Sequence, residues 1–362
     1  MSGKQLTLPW QRCVRGRVVG AVAALTLLVG IAPVGQANEH TMEPIEFKSI
    51  PGWAADDHSA ALYAFRQSCR GSGGQNRSDE QRRLETLCER ARLLGQASRD
   101  EARRFFENNF LAMRAAGEGF VTGYFEPVLK ASLTRTKSFR YPLYQKPQGL
   151  NPLPDRSAIM DGALADRGLE VLWLDNPIDG FFVAIQGSAR VETPEGKRYR
   201  LRYAAKSGHP YTPVGRVLIA RGEIPRDQMS MQAIKDWLYA HPDAAEDVMR
   251  LNRSYIFFSI EEDKQGTEGP VGAAGVPLIA GRSLALDHRL YSYGLPVFIG
   301  ARLPDGQGAV KPFNRLMVAH DTGSAIRGPA RGDIFFGSGY KAGEQAGRIR
   351  HSADFVVLRP RP

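Results

Sequence analysis

Between Tyr255 and Leu358 the chain repeats one device, an apolar run of three or four residues separated from the next by glycine-containing turns. The runs are Tyr255-Ile256-Phe257-Phe258, Leu284-Ala285-Leu286, Pro296-Val297-Phe298-Ile299, Leu316-Met317-Val318-Ala319, Ile334-Phe335-Phe336 and Phe355-Val356-Val357-Leu358. Runs this short suit strands rather than helix faces, and the C-terminal part is predicted to close into a barrel. From Phe120 to about Arg216, Val171-Leu172-Trp173-Leu174 and Phe181-Phe182-Val183-Ala184-Ile185 read as further strands. Asn176-Pro177, Asp179-Gly180 and Pro194-Glu195-Gly196 read as turns between them. A helical interruption follows, with Ile234, Trp237 and Leu238 on one face and a second short helix after Pro242. With Gly 38 and Pro 23 in 362 residues, the reading is a turn-rich, mainly β chain of two domains, or of one domain carrying an insertion.

Residues 55–117 have another character. Leu84, Leu87, Cys88 and Ala91 recur at helical spacing. Ser78 with Gln81, and Ser98 with Glu101, mark helix starts, because a hydroxyl and a side chain three residues on satisfy otherwise orphaned amides. A Gly71-Ser72-Gly73-Gly74 break separates the helices. Ahead of them, Arg12, Arg15 and Arg17 precede an apolar run from Val18 to Val34 that ends in Gly35-Gln36-Ala37, before Asn38. This has the form of a cleavable secretory leader. This run of 17 residues, interrupted by Pro33, falls short of the roughly 20 that span a bilayer. Cys13 lies before the run, so no cysteine stands where a lipid-anchoring signal needs one. Without Lys4 and the leader arginines, 44 basic residues face 38 acidic ones. That mild excess gives no reason to expect nucleic acid. In an exported chain Cys69 and Cys88 can form a bridge, or stay as two buried thiols.

Few residues can carry chemistry. Asp321 follows the apolar run ending at Ala319 and His320, and opens the loop Thr322-Gly323-Ser324. A carboxyl held there is rigid yet able to face a cleft, and apolar walls raise its pKa toward what a general acid near neutral pH needs. An aspartate that merely caps its own turn has the same Asp-x-Gly pattern. Asp287 and Asp333 adjoin apolar runs in the same way, and either can support Asp321 or replace it. Glu126, in Gly123-Tyr124-Phe125-Glu126-Pro127, is a fourth carboxylate, and Tyr124 can stack on a sugar ring. Asp321-Thr322-Gly323 also spells an aspartic-protease signature. That chemistry needs two such carboxylates, and Asp161-Gly162, Asp179-Gly180 and Asp305-Gly306 lack the intervening hydroxyl residue. Histidine, cysteine and glycine spacings match no metal or nucleotide motif, so no metal or cofactor is expected. His320 should point away from the face of Asp321 and pack.

Several of these segments together resemble a known family. The run from Leu316 to Gly339, preceded by Gly275-Val276-Pro277-Leu278 and Gly281-Arg282-Ser283-Leu284-Ala285-Leu286-Asp287, resembles the three-aspartate domain of the membrane-bound lytic murein transglycosylase A family. Gly123-Tyr124-Phe125-Glu126-Pro127, Gln186-Gly187-Ser188, Tyr211-Thr212-Pro213-Val214-Gly215-Arg216 and Met229-Ser230-Met231-Gln232-Ala233-Ile234 resemble its other landmarks in order. The resemblance implies a double-psi β-barrel with an inserted second β domain and a helical N-terminal region. The division expected is 1–37 signal peptide, 38–127 helical region and start of the barrel, 128–252 inserted β domain with short helices, and 253–362 three-aspartate domain completing the barrel.

The resemblance further implies cleavage of the bond between N-acetylmuramic acid and N-acetylglucosamine in the peptidoglycan glycan strand, leaving a 1,6-anhydro end. A hydrolytic muramidase and a noncatalytic wall-binding protein are the alternatives. Asp321 falls on the single catalytic acid, Asp287 and Asp333 on the two supporting aspartates. Tyr124, Gln186 and Ser188 are the expected glycan contacts, with Glu126 beside Tyr124 carried as a fourth. Ala189 stands where glycine is expected and His320 where glutamine is usual, departures that bear on subsite fit. The missing lipobox points to a soluble periplasmic enzyme, with any attachment to the cell wall or outer membrane peripheral, and a monomer is expected.

Overall fold

The computed structural model describes residues 42–71, 78–263 and 269–362. The leader expected at 1–37 and most of the Gly71–Gly74 break lie outside the described residues. Strand β1 (Glu43–Ile45) is followed by two single 3-10 turns and by helices α1 (His58–Ser68), α2 (Asp79–Leu93) and α3 (Arg99–Asn109). Each helix start is capped by a side chain. Asp57 accepts the Ser59 and Ala60 amides at α1, and the Ser78 hydroxyl accepts the Gln81 amide at α2. Ser98 and Glu101 close a reciprocal box at α3. Leu84, Leu87, Cys88 and Ala91 all turn inward, and a disulfide joins Cys69 to Cys88, tying the end of α1 to α2. Phe65, Phe105, Phe106 and Phe110 pack with ring centroids 5.3–6.3 Å apart, mostly edge to face.

Strands β2 (Phe110–Arg114) and β3 (Gly119–Glu126) follow. The chain then departs into a second sheet made of β4 (Val128–Ser132), β5 (Tyr141–Tyr144), β6 (Glu170–Leu174), β7 (Ala189–Glu192), β8 (Arg198–Lys206) and β9 (Ile256–Glu262). Their order is β5-β6-β4-β7-β8-β9. Because β9 pairs with β8 along its length, the second sheet runs past the boundary expected at residue 252. Its helices are α4 (Arg156–Met160), α5 (Pro177–Gln186), α6 (Val214–Ala220), α7 (Met231–Ala240) and α8 (Pro242–Arg250). Trp237 and Leu238 of α7 are buried with Ile234 packed beside them, and Pro242 opens α8.

Helix α5 corrects the strand expected at Phe181–Ile185. Asn176-Pro177, read as a turn, is a helix start. The Asn176 side chain accepts the Ile178 amide at 2.8 Å and Pro177 takes the first turn, where its missing N–H costs nothing. Gly180 sits inside because a Cβ there would lie 3.3 Å from Leu143 and Leu174 side-chain carbons. Glycine lets the helix lie close on β5 and β6, and its Ile178, Phe181, Phe182 and Val183 are buried.

The remaining elements are β10 (Ser283–Ala285), β11 (Pro296–Pro304), β12 (Val310–Asp321), β13 (Arg331–Ser338), α9 (Tyr340–Gly347) and β14 (Arg350–Pro360). They close a ring, β3-β14-β11-β12-β10-β13 and back to β3, through the additional β14–β3 pairing. The expected closed barrel is therefore present as six strands, one of them contributed from upstream of the second sheet. The β10–β12 and β13–β3 pairs are parallel and the other neighbours antiparallel. Val297, Phe298, Ile299, Leu316, Met317 and Val318 are at most 1% exposed. Continuous rather than alternating burial of this kind follows when both faces of a strand are covered. The helical region is pinned to the ring by Asp56, which accepts Arg282 Nη1 and Nη2 at 2.8 and 2.9 Å and the Leu316 amide at 2.8 Å.

Candidate active site

Strand β10 is the centre of the site. Its Ala285 pairs with Asp321 of β12 on one side and with Asp333 of β13 on the other. At about 4.8 Å between strands, the two aspartate backbones stand about 10 Å apart across a residue too small to fill the space. The register explains which side chain faces it. Leu284 pairs with Ala319 and Ala285 with Asp321, so His320 is passed over in a bulge, a device that re-aims neighbouring side chains. His320 accordingly has no exposed surface, lies 2.7 Å from Ser283 Oγ through Nδ1, and is pushed by burial down to about 4. It packs, and like the fully buried Ala189 it touches no cleft surface, so neither departure from the family pattern can contact a sugar directly.

Asp321 is anchored asymmetrically. Its Oδ1 accepts the Ala273 amide at 3.0 Å and the Thr322 amide at 2.9 Å, and its Oδ2 accepts the Tyr124 hydroxyl at 2.9 Å. Burial raises its pKa above the ordinary carboxyl range, against the lowering effect of those donors. The turn carrying Ala273 reaches this close because Gly272 has no side chain. A Cβ there would lie 2.5 Å from the His320 carbonyl oxygen.

Asp333 accepts the Thr122 hydroxyl at 2.6 Å, and Arg331 Nη2 donates to that hydroxyl at 2.7 Å. Burial lifts Asp333 to about 6, with Asp321 adding a smaller push and Arg331 and Thr122 opposing. Asp287 is different in kind. It has no exposed surface and accepts Arg289 Nε and Nη2 at 2.9 and 2.7 Å, Arg327 at 3.2 Å and the Gly328 amide at 3.0 Å. The Arg289 guanidinium holds it well below the usual carboxylate range. It is a permanent anion that ties down the loop after Asp321, not a proton donor. The Thr322 hydroxyl reinforces that tie by donating to the Leu286 carbonyl at 2.8 Å.

Of the expected glycan contacts, Glu126 is overturned. It is 0% exposed, paired with Arg190 and Arg200 at 3.0 Å each, and accepts the Ser338 hydroxyl at 2.6 Å. With the carboxylate enclosed by two guanidiniums and a hydroxyl, no sugar can reach it. Gln186 ends α5 and accepts the Phe125 amide at 3.0 Å, which fixes the backbone beside Tyr124. Ser188 is half-buried between α5 and β7. The Tyr124 ring packs 5.3 Å from Phe335, and its hydroxyl belongs to Asp321. Thr122, Arg331 and the Ala273 amide had no signal in the sequence, since each acts through a partner distant along the chain. Tyr211, from the second-sheet region, is raised mainly by burial and in part by the charge of Asp333, which brings that region up to the carboxylates. Among the described residues, no cluster of three or more His, Cys, Asp or Glu has the arrangement of a metal site.

Two family models match the chain, the MltA specific insert domain over residues 120–259 and the 3D domain over residues 282–359. The membrane-bound lytic murein transglycosylase A of Escherichia coli (strain K12) is 37% identical over 249 residues, 67% of this chain and 66% of that protein. The match thus spans just under two thirds of that curated relative. Among solved structures, the membrane-bound lytic murein transglycosylase from Agrobacterium tumefaciens superposes with a TM-score of 0.81 at 40% identity, covering 88% of this chain and 98% of that one. Escherichia coli MltA with bound chitohexaose gives 0.68 at 29% identity, covering 90% and 93%.

Proposed function

Because the chain belongs to the membrane-bound lytic murein transglycosylase A family, we propose that it cleaves the glycan strand of peptidoglycan as a lyase, with Asp321 as its acid and base in turn. The observation that carries the reading is the half-buried Asp321, raised in pKa yet held by three donors. An ordinary glycosidase employs two carboxylates. Here the muramyl 6-hydroxyl attacks its own anomeric carbon, and an intramolecular nucleophile reaches effective molarities that replace an activated water. Asp321 gives its proton to the leaving glycosidic oxygen as that bond breaks. The carboxylate then accepts the 6-hydroxyl proton as the anhydro ring closes, so proton and bond counts balance without water. The bound chitohexaose of the Escherichia coli relative supports a sugar chain as the ligand.

Asp287 anchors the loop and Asp333 shapes the field beside the acid. Gln186 and Ser188 are the proposed glycan contacts. The barrel is read as double-psi, a reading supported by its two parallel pairs within a six-stranded ring. The chain is assigned to the periplasm as a monomer with a cleavable leader. Among the described residues, no helix is long and apolar enough to cross a membrane.

The test is digestion of purified murein with mass analysis of the sugar ends. Anhydro-muramic termini are expected, and a gain of one water per cut would establish hydrolysis instead. Asp321→Asn, nearly isosteric, should fold, bind glycan and lose at least about 10³-fold in turnover. Retained turnover would remove Asp321 from the role.

A further inference from the structure

The hydrogen bonds on Asp321 are unequal in a way that the acid role alone does not require. A carboxylate has about two acceptor sites on each oxygen. Both sites of Oδ1 are taken, by the Ala273 and Thr322 amides. Among the described residues Oδ2 receives one donor, the Tyr124 hydroxyl, and so keeps one site. Backbone amides cannot turn away or give up their protons, so Oδ1 stays an acceptor in both protonation states.

We propose that Tyr124 is a positioning residue of the reaction, fixing the transferable proton on Oδ2 of Asp321 and stabilising that oxygen once the proton has left. The proposal rests on Asp321 being the acid. In the acid form Oδ2 carries the proton on its free site and accepts the phenol on the other. When the proton passes to the glycosidic oxygen, the phenol bond becomes charge-assisted and strengthens. The same Oδ2 then receives the 6-hydroxyl proton. Tyr124 is suited to a constant donor role, because burial and the neighbouring Asp321 push its phenol well above the ordinary tyrosine range. Its place is fixed from both sides. Its ring lies against Phe335, its cross-strand partner, and the next amide along, that of Phe125, is held by Gln186. The sugar-platform role expected from sequence would leave the hydroxyl without this function.

Other titratable groups face Asp321. Asp333 lies across Ala285 from β13. Tyr293, before β11, is raised by burial and by the charge of Asp321. His288 Nδ1 is 3.1 Å from the Thr322 hydroxyl, with the Asp287–Arg289 pair flanking it. Tyr124 alone among them bonds the carboxyl directly through a side chain, so its removal has a distinct signature.

The experiment is Tyr124→Phe in the full chain, with turnover of soluble uncrosslinked glycan strands followed across pH. The phenol bond favours the charged carboxyl, so its loss raises the Asp321 pKa and the acid form persists to higher pH. The basic limb of the rate profile should move up by about 1 pH unit, with kcat down roughly tenfold and KM within about twofold. An unmoved limb, or a raised KM at unchanged kcat, overturns the proposal. Asp321→Asn is assayed alongside. If it stays active, the acid assignment itself has failed, whereas an inactive Asp321→Asn with an unmoved Tyr124→Phe limb overturns the positioning role alone. Should Tyr124→Phe fail to fold, Tyr124→3-fluorotyrosine keeps the hydroxyl as a stronger donor. Its limb must move down, and one that stays in place overturns the proposal.

Discussion

At Asp333 burial opposes charge, and the sign of the effect on stability can be worked out. Its folded pKa is about 6, against about 4 for an unfolded aspartate. The folded state therefore holds this proton more tightly than the unfolded chain. The associated stability is fully present below about pH 4, declines as pH rises to about 6, and is absent above that. Asp333→Asn should flatten this slope and raise unfolding free energy at pH 8 by about 3 kcal/mol, measured by urea denaturation at several pH values. An unchanged slope would mean that Thr122 and Arg331 already cancel the burial cost. Destabilising one carboxyl in this way is characteristic of sites tuned for chemistry. Asp287, two residues beyond the Ala285 that pairs with Asp333 and itself paired with two arginines, shows the opposite arrangement.

Among elements, the Cys69–Cys88 bridge closes a loop with sequence separation 19 between α1 and α2. A loop of that length limits the unfolded chain by about 3 kcal/mol. Replacing both cysteines with serine should lower the melting temperature and leave turnover at 25 °C intact, since the bridge lies in the helical region and the carboxylates in the ring. Calorimetry beside the murein assay checks both halves. How far elements could be read from sequence depended on the range of the forces that make them. The inward stripe of α2 and the Ser98–Glu101 cap are local, and they stand where spacing put them. Asp321 was legible because a strand end and a glycine loop adjoin. Helix α5 was misread because Asn-Pro and Asp-Gly serve helix starts and close packing as well as turns. Tyr124 and Asp321 are 197 residues apart, Thr122 and Asp333 are 211, and Asp56 and Arg282 are 226. Pairings of that span leave no periodic trace, which is why Tyr124 read as a platform and Glu126 as a glycan contact.

Between the two sheets lies a charged knot. The chain leaves the ring after Glu126 and the second sheet ends beside Asp263. Arg200 of β8 pairs with Glu126 at 3.0 Å and approaches Asp263 at 3.9 Å. Removing one partner of a buried pair strands the other charge, so Arg200→Met should cost about 3 kcal/mol. Adding Glu126→Gln should cost less than the two single losses together, a coupling that a double-mutant cycle measures. Additive costs would show that Arg190 and Ser338 suffice to hold Glu126. The ring meanwhile closes by hydrogen bonds of β3 to β13 and to β14, neither of which passes through the second sheet. The excursion from residue 128 to residue 262 is thus a cassette whose two ends are gathered at Arg200. Such a cassette can change its sequence and shape without rethreading any strand of the ring.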